Sequence, residues 1–298
     1  MDQKKLLFLY NTHAGQGQAA LHLAAIQEAL TRSGWLVTAR PTLDRGDAAV
    51  AAAELGPAYD RLICCGGDGT LHEVVQGLMP LQTRPVVGYI PAGSTNDFAK
   101  NLRLPRGFAE MAATAAAGVP RPIDIGRFNE RYFVYVAAFG AFTDVAYATP
   151  QPFKNLCGRL AYLLEGLVRL PSLKSYPLTV EHDGGKLEGE FLYGMVSNTD
   201  SVGGFRGLAG RDVALDDGLF EVVLVRQPKK WGDLRRILAT LLQQWKEPSE
   251  LVLTFRTSRL EVACGEELSW TLDGEFGGAP ERVTIENCKQ AITIVHGS

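Results

Sequence analysis

Between residues 5 and 125, short apolar runs alternate with amphipathic, alanine-rich stretches. Leu6-Leu7-Phe8-Leu9-Tyr10 is an unbroken apolar run, the form of a parallel strand buried on both faces. A polar, glycine-containing loop follows, Asn11 to Gly17. The spacing then predicts a helix from about Gln18 to Ser33 with Leu21, Ala24, Ala25 and Ala29 on one face, ended by Gly34. Further strands are predicted at Trp35 to Ala39, Arg61 to Cys65 and Pro85 to Ile90. Helices are predicted from Asp47, read as a cap, to Leu55 and from Thr70 to Leu78. Strand and helix in strict alternation predict an α/β domain with a parallel sheet.

After about residue 125 the period changes. Alternation of two and hairpin signals dominate from Phe133 onward, with Leu178 to Glu181 and Glu190 to Met195 flanking an Asp183-Gly184-Gly185 turn. Strands are also predicted at Leu219 to Val225, Leu251 to Phe255, Arg259 to Ala263 and Leu268 to Leu272. The second domain, residues 126–298, is therefore expected to be mostly antiparallel β. Helical inserts are expected at about Cys157 to Leu170 and Lys230 to Trp245. A return of the last strand to the first domain, residues 1–125, is left open.

Composition narrows the function classes. The 298 residues carry 30 basic and 33 acidic side chains, a net charge of -3, which argues against a dedicated nucleic-acid binder. The hydrophobic fraction of 46% suits a folded chain rather than a disordered one. No apolar run approaches the roughly 18 residues of a membrane helix, and the run after Met-Asp-Gln-Lys-Lys is short for a secretory signal. The five cysteines are odd in number and form no CxxC pair, so reduced thiols in a cytoplasmic protein are expected. The five histidines are scattered, and His72-Glu73 fails as HExxH because residue 76 is glutamine.

Four segments carry candidate chemistry. Gly66-Gly67-Asp68-Gly69-Thr70-Leu71-His72-Glu73 follows a strand and opens a helix. Its glycines allow close backbone approach to a ligand, and the helix N-terminus suits a phosphate. Asp68 would repel phosphate directly and makes sense with a divalent cation between them; a tight turn with a solvated aspartate is the competing reading. Pro91-Ala92-Gly93-Ser94-Thr95-Asn96-Asp97-Phe98 also follows a strand, so the two loops are expected to converge at the carboxyl edge of the sheet. Asn96 or Asp97 is a candidate cap for the next helix. Leu272-Asp273-Gly274-Glu275 and Leu215-Asp216-Asp217-Gly218-Leu219 each read as a turn, the latter of type I′.

In that order and spacing, the GGDGT loop, the G-[TS]-x-N-D-F-A loop, the DDG-[LKF] turn and the LDGE segment resemble the diacylglycerol kinase catalytic family, which includes bacterial soluble lipid kinases and the sphingosine and ceramide kinases. The resemblance spans Asn11 to about Glu275. It implies an ATP- and magnesium-dependent transfer of the γ-phosphoryl group to the hydroxyl of a lipid such as diacylglycerol. The first domain would bind ATP, and the β-rich domain would form the lipid side of a cleft. It implies nucleotide contacts from Asn11, Gly15, Thr42, Gly66, Gly67, Asp68, Gly69, Thr70, Leu71, His72 and Ser94. By the same resemblance Glu275 is the general base, Asp68 and Asp97 belong to the catalytic network, and Asp217 binds magnesium with the carbonyls of Ala214 and Leu219. Three positions depart from the family pattern. Asn11-Thr12-His13-Ala14-Gly15 lacks the usual serine, His72 stands where asparagine is frequent, and Ser94 replaces threonine while keeping the hydroxyl. No charged catalytic group is lost, so activity is expected.

A lipid kinase must visit a membrane surface. The segments Gln151 to Pro177 and Pro228 to Lys246 combine basic and apolar side chains, as an interfacial helix on anionic lipid does. Packing of the same leucines on the β sheet is the alternative. The expected location is cytoplasmic, peripheral at the inner membrane face. The acceptor lipid and the oligomeric state, a homodimer included, stay open. The competing functions are a NAD kinase-like enzyme, which shares GGDGT, and a non-catalytic lipid-binding protein. A Rossmann-type dinucleotide module on Gly15-x-Gly17-x-x-Ala20 is disfavoured, because the expected acid falls at Asp44, past the second strand.

Overall fold

A computed structural model describes residues 3–140, 174–199, 201–202, 205–206, 213–242 and 249–297. These form two compact units: Met1–Tyr135 with Ala214–Gly218 and Cys288–Ser298, and Val136–Val213 with Leu219–Asn287. The predicted helix at 157–170 lies outside the described residues.

The first unit is built on parallel strands β1 (Lys5–Asn11), β2 (Leu36–Thr42), β3 (Arg61–Gly66) and β4 (Val86–Pro91). Their spatial order is β2-β1-β3-β4, and the final strand of the chain pairs with β4 in parallel through Ile294 and Val87. Leu6, Leu7, Phe8 and Leu9 are all fully buried, which is why β1 reads as a continuous apolar run instead of an alternating one. Helices α1 (Gln18–Leu21), α2 (Leu23–Arg32), α3 (Asp47–Leu55), α4 (Asp68–Leu78) and α5 (Phe108–Ala117) complete the alternation. The antiparallel hairpin β5 (Val119–Phe128) and β6 (Arg131–Phe133) closes the segment.

Three local expectations are corrected. The helix predicted from Gln18 breaks at His22, and its buried side chains are Ala19, Ile26 and Leu30, whereas Leu21, Ala24 and Ala25 are exposed. Alanine and leucine spread around this helix, so the apolar stripe could not be told from composition. Asp47 is the first helical residue of α3, not its cap; Gly46, at φ +87°, holds the cap position. The segment at 216–218 is no type I′ turn, which requires positive φ at both central residues. Gly218 alone of the three has it, at φ +87°.

The second unit is antiparallel, as its period-two pattern predicts. β8 (Tyr176–His182) and β9 (Gly185–Ser197) form a hairpin whose two-residue turn is Asp183-Gly184. β9 carries β8 on its first half and β7 (Val136–Gly140) on its second. It also pairs with β12 (Phe220–Arg226), which in turn pairs with β13 (Val252–Thr257). β10 (Ser201–Val202) and β11 (Phe205–Arg206) form a separate ribbon. α6 (Trp231–Leu242) lies between β12 and β13 in the chain. β14 (Arg259–Cys264) pairs with β8 and with the first half of β17 (Arg282–His296). β15 (Trp270–Leu272) joins β7 to the edge strand β16 (Glu275–Gly278). Phe139, Phe191, Phe220 and Trp270 are buried to 1% exposure or less, with the Phe139 and Trp270 rings 4.8 Å apart edge to face.

Candidate active site

The parallel strands of the first unit end, at their carboxyl edge, in Asn11, Thr42, Gly66 and Pro91. The strand order reverses direction between β1 and β3, the position where open α/β sheets place ligands. Of the sequence-predicted nucleotide residues, Asn11, Thr42 and Gly66 end strands at this edge, Gly15, Gly67 and Ser94 follow such ends, and Asp68 to His72 open α4.

The glycines show how closely these loops approach. A Cβ at Gly93 would lie 2.6 Å from the Gly67 Cα, and one at Gly67 would lie 3.3 Å from the Gly93 Cα. The two motif loops thus converge as expected, and they meet backbone to backbone. The Ala92 N–H donates to the Gly66 carbonyl at 2.8 Å. The first loop joins them: a Cβ at Gly15, itself at φ +55°, would lie 2.0 Å from the Ala92 carbonyl oxygen. Asn11 Nδ2 donates to Thr70 Oγ1 at 3.3 Å, and Thr42 is the in-register neighbour of Asn11 on β2. Thr70 packs over Gly66, where any side chain would strike it.

Two of the expected catalytic carboxylates are neighbours. Asp68 Oδ2 accepts the backbone N–H of Asp97 at 3.0 Å. The Asp97 carboxylate is almost fully buried and pairs with Lys100 Nζ at 2.5 Å. Asp97 stands at the cap position of a short 3-10 turn, Phe98–Asn101, without a side-chain capping bond. Asn96 does not cap either; at φ +48° it accepts the Gly93 N–H at 2.9 Å and donates to the Gly93 carbonyl at 2.8 Å, folding the loop on itself. Ser94 and Thr95 are exposed on that loop. Leu71 and His72 point into the core, and His72 Nε2 lies 3.4 Å from Gln76 Nε2. Their contribution to an edge site is therefore limited to the main chain at the start of α4.

Cys64 and Cys65 sit on β3 directly below this edge. Burial pushes the Cys65 thiol up to about 12, and burial first, with Cys65 and Glu73 nearby, pushes the Cys64 thiol well above its ordinary range. Neither is a thiolate at neutral pH, so thiol nucleophile chemistry is not what this edge is built for.

In the second unit, Glu275 opens β16 after a two-residue turn at Asp273, φ +52°, and Gly274, φ +86°. Asp273 fastens that hairpin to β7: its Oδ1 accepts the Val136 N–H at 3.1 Å and its own N–H donates to the Val136 carbonyl at 2.8 Å. The aspartate of the LDGE segment is thus structural, and Glu275 is left half-exposed on the edge strand.

The turn that carries Asp217 belongs to the first unit and is shaped by Asp124. That residue is fully buried; its Oδ2 accepts the Gly218 N–H at 2.6 Å, and its Oδ1 accepts the Gln290 N–H at 2.7 Å. The Asp124 N–H donates to the Leu215 carbonyl at 2.7 Å, and Gln290 Nε2 donates to the Asp216 carbonyl at 3.1 Å. Both Asp124 oxygens are engaged, and the turn carries two further carboxylates, Asp216, exposed, and Asp217, partly exposed. A carboxylate with main-chain carbonyls is an all-oxygen donor set, which suits magnesium in kind. Asp124→Ala is expected to lower stability by about 2 kcal/mol, because two backbone N–H groups lose the one buried carboxylate that accepts them both. Urea unfolding measures this, and an unchanged midpoint would contradict it.

Lys100 and Asp124 were not picked out from the sequence, and Glu73 and Asp273, though inside two of the four quoted segments, were given no role of their own. A lone acid inside the apolar strand Ile123-Asp124-Ile125 was the available signal for Asp124, since unpaired charge is rarely buried.

Two family models cover the chain. The diacylglycerol kinase catalytic domain matches residues 5–128, and the YegS C-terminal NAD kinase beta sandwich-like domain matches residues 138–296. A diacylglycerol kinase of Bacillus subtilis (strain 168) is 37% identical over 277 residues, 92% of this chain and 91% of its own length. One from Staphylococcus aureus (strain MRSA252) is 34% identical over 279 residues, 93% of this chain and 87% of its own. A crystal structure from Bacillus anthracis str. Sterne superposes with a TM-score of 0.82 at 25% identity, over 99% of this chain and 98% of that one. A crystal structure of a diacylglycerol kinase from the same strain shares the fold at a TM-score of 0.76 and 23% identity, over 100% and 98%. Since the curated relatives exceed a third in identity over nearly their full length, and the matched segments contain both converging loops, the chain belongs to the diacylglycerol kinase family.

Proposed function

We propose that this family member transfers the γ-phosphoryl group of ATP to the hydroxyl of a lipid alcohol, diacylglycerol in the first place. The observation that carries this reading is the backbone junction of Gly15, Gly67 and Gly93 at the carboxyl edge of the sheet, with Asp68 and Asp97 bonded beside it. Such a junction admits phosphate oxygens close to main-chain N–H groups, and the glycine loop leads into the N-terminus of an eleven-residue helix. The bond from the Asp97 N–H to Asp68 fixes one carboxylate oxygen and so fixes how the rest of that group faces the phosphates.

In the proposed reaction the lipid hydroxyl oxygen bonds to the γ-phosphorus as the bond to the β,γ-bridging oxygen breaks. Glu275 takes the hydroxyl proton, and ADP leaves with the bridging oxygen. Asp217 with the carbonyls of Ala214 and Leu219 would hold magnesium, which would offset charge on the transferring group. Lys100 Nζ pairs with the Asp97 carboxylate at 2.5 Å and places a positive charge beside it.

Access to a lipid requires contact with a bilayer. Around α6, Lys229, Lys230, Arg235 and Arg236 are exposed, while the only acid of the segment, Asp233, is buried and accepts the Lys229 and Lys230 N–H groups at 3.1 and 3.2 Å. The exposed charge of this stretch is therefore basic and suits anionic lipid. Arg235→Glu with Arg236→Glu is expected to cut recovery with anionic vesicles in a flotation assay at least threefold while leaving neutral vesicles unaffected; equal flotation of variant and wild type would contradict the role of α6. No helix among the described residues is long and apolar enough to cross a membrane.

The functional reading is tested by incubating the purified protein with ATP and magnesium against a panel of lipid alcohols and NAD, with products identified by mass spectrometry. A phosphorylated lipid alcohol is expected. A phosphorylated NAD without lipid product would transfer the assignment to a nucleotide kinase.

A further inference from the structure

Glu73 is the acid of the glycine-loop helix that the proposed reaction leaves unused. It lies on α4, five residues or about one and a half turns beyond Asp68, and its carboxylate bonds toward α3. Oε1 accepts the Gly46 N–H at 2.8 Å and Oε2 accepts the Ala48 N–H at 3.3 Å. These are N–H groups at the start of α3, which has no capping bond from its own cap residue. A side chain 27 positions away in the chain, on another helix, performs the capping.

The rest of this region is built around that bond. Asp47 Oδ2 accepts the Leu43 N–H at 3.0 Å, and Asp47 Oδ1 pairs with Arg40 at 2.8 Å, so the acid next to the helix start closes the 43–47 loop. Gly46 sits at φ +87°, where a side chain is strained. α3 and α4 touch through Gly77, whose Cβ, if present, would lie 2.1 Å from the Ala49 carbonyl oxygen. Thr42 directly precedes this loop and lies beside Asn11, which donates to Thr70 on α4. Thr42 is thus held from both sides by residues of α4, through Asn11 and through the loop that Glu73 caps.

We propose that Glu73 is a positioning residue that fixes Thr42 and the 43–48 loop against the Gly66–Thr70 loop, so that the nucleotide site is formed before nucleotide arrives. The proposal rests on the reading of ATP as donor. It has a second consequence: the N-terminus of α3 is already filled by a carboxylate, so phosphate is directed to the glycine junction and the start of α4.

The test measures binding of the β,γ-imido analogue of ATP to the full chain by calorimetry, together with the KM values for ATP and lipid. Glu73→Ala is expected to weaken analogue binding about tenfold and raise the KM for ATP in parallel. The kcat at saturating ATP and the KM for lipid should stay within twofold. Glu73→Gln should fall between, because the amide oxygen still accepts one N–H while its NH₂ cannot accept the other. Ile26→Val, a core substitution on α2, serves as the control that lowers the melting temperature without changing analogue affinity. Wild-type affinity in Glu73→Ala would overturn the proposal and leave ATP as donor untouched. If the alanine variant does not fold, wild-type affinity in Glu73→Gln overturns it. A wild-type chain that binds no analogue overturns both the proposal and the reading beneath it.

Discussion

Replacing Glu275 with glutamine is expected to lower lipid phosphorylation by about 10²–10⁴-fold, the contribution of a positioned general base. The substitution keeps shape and hydrogen-bonding capacity but cannot take a proton. It falls on a half-exposed edge strand whose anchor is a different residue: Asp273 fixes the hairpin through both bonds to Val136. The melting temperature should therefore stay within a degree or two of the parent, and the loss should appear in kcat. Asp273→Ala is the informative contrast, because it is expected to lower stability and activity together. A Glu275→Gln protein with the parent's turnover would remove Glu275 from the reaction and leave the hairpin as architecture.

Gly93→Ala is expected to weaken ATP binding and to lower the rate of phosphoryl transfer by about 100-fold. The new Cβ would lie 2.6 Å from the Gly67 Cα and 2.8 Å from Asn96 Oδ1. Ordinary carbon contacts begin near 3.5 Å, so the two loops must separate by about 1 Å, and a misplacement of that size in a reactive site costs about 10²-fold. Neither neighbour yields easily: one is backbone, and the other is tied to Gly93 by two hydrogen bonds. Gly265→Ala, where a Cβ meets nothing within 4 Å, is the control and should bind ATP as the parent does. Equal affinity in Gly93→Ala would mean that the glycine junction does not hold the nucleotide.

The parts of this molecule that were legible in the sequence are those set by neighbours in the chain. Leu6 to Tyr10 announces a buried parallel strand, Gly66 to Thr70 announces a strand-to-helix loop, and an Asp-Gly pair at 183–184 announces a hairpin; each appears where its pattern places it. Convergence of the Gly66 and Gly93 loops was also legible, because parallel strands end on one edge. The supports of the site were not. Glu73 reaches α3 across 27 positions, Asp124 holds Gly218 and Gln290 across 94 and 166, and Asp273 holds Val136 across 137. Hydrogen bonds of that range leave no periodic trace. The buried face of residues 18–33 escaped for a different reason: where alanine and leucine make up half of the positions and lie on every side, hydrophobicity does not mark out the face of Ile26 and Leu30 from that of exposed Leu21, Ala24 and Ala25.

These separations also explain a division of labour among the acids. Asp124, Asp273 and Glu73 spend their carboxylates on backbone N–H groups, which makes them parts of the framework. Asp217 and Glu275 are partly exposed residues, on a turn and at the end of a turn that those framework acids shape. Asp68 lies between the two classes, with one oxygen on the Asp97 N–H at the junction of the motif loops.

The central claim is that the carboxyl edge of the parallel sheet binds ATP and that its γ-phosphoryl group goes to a lipid hydroxyl. It is tested most directly by incubating the purified chain with γ-³²P-labelled ATP, magnesium and diacylglycerol in mixed vesicles, and following the label. The account predicts that label passes from ATP to phosphatidic acid, at a rate cut at least 100-fold in Glu275→Gln. Label that stays in ATP, or that passes to water or to NAD while the diacylglycerol remains unphosphorylated, would contradict it.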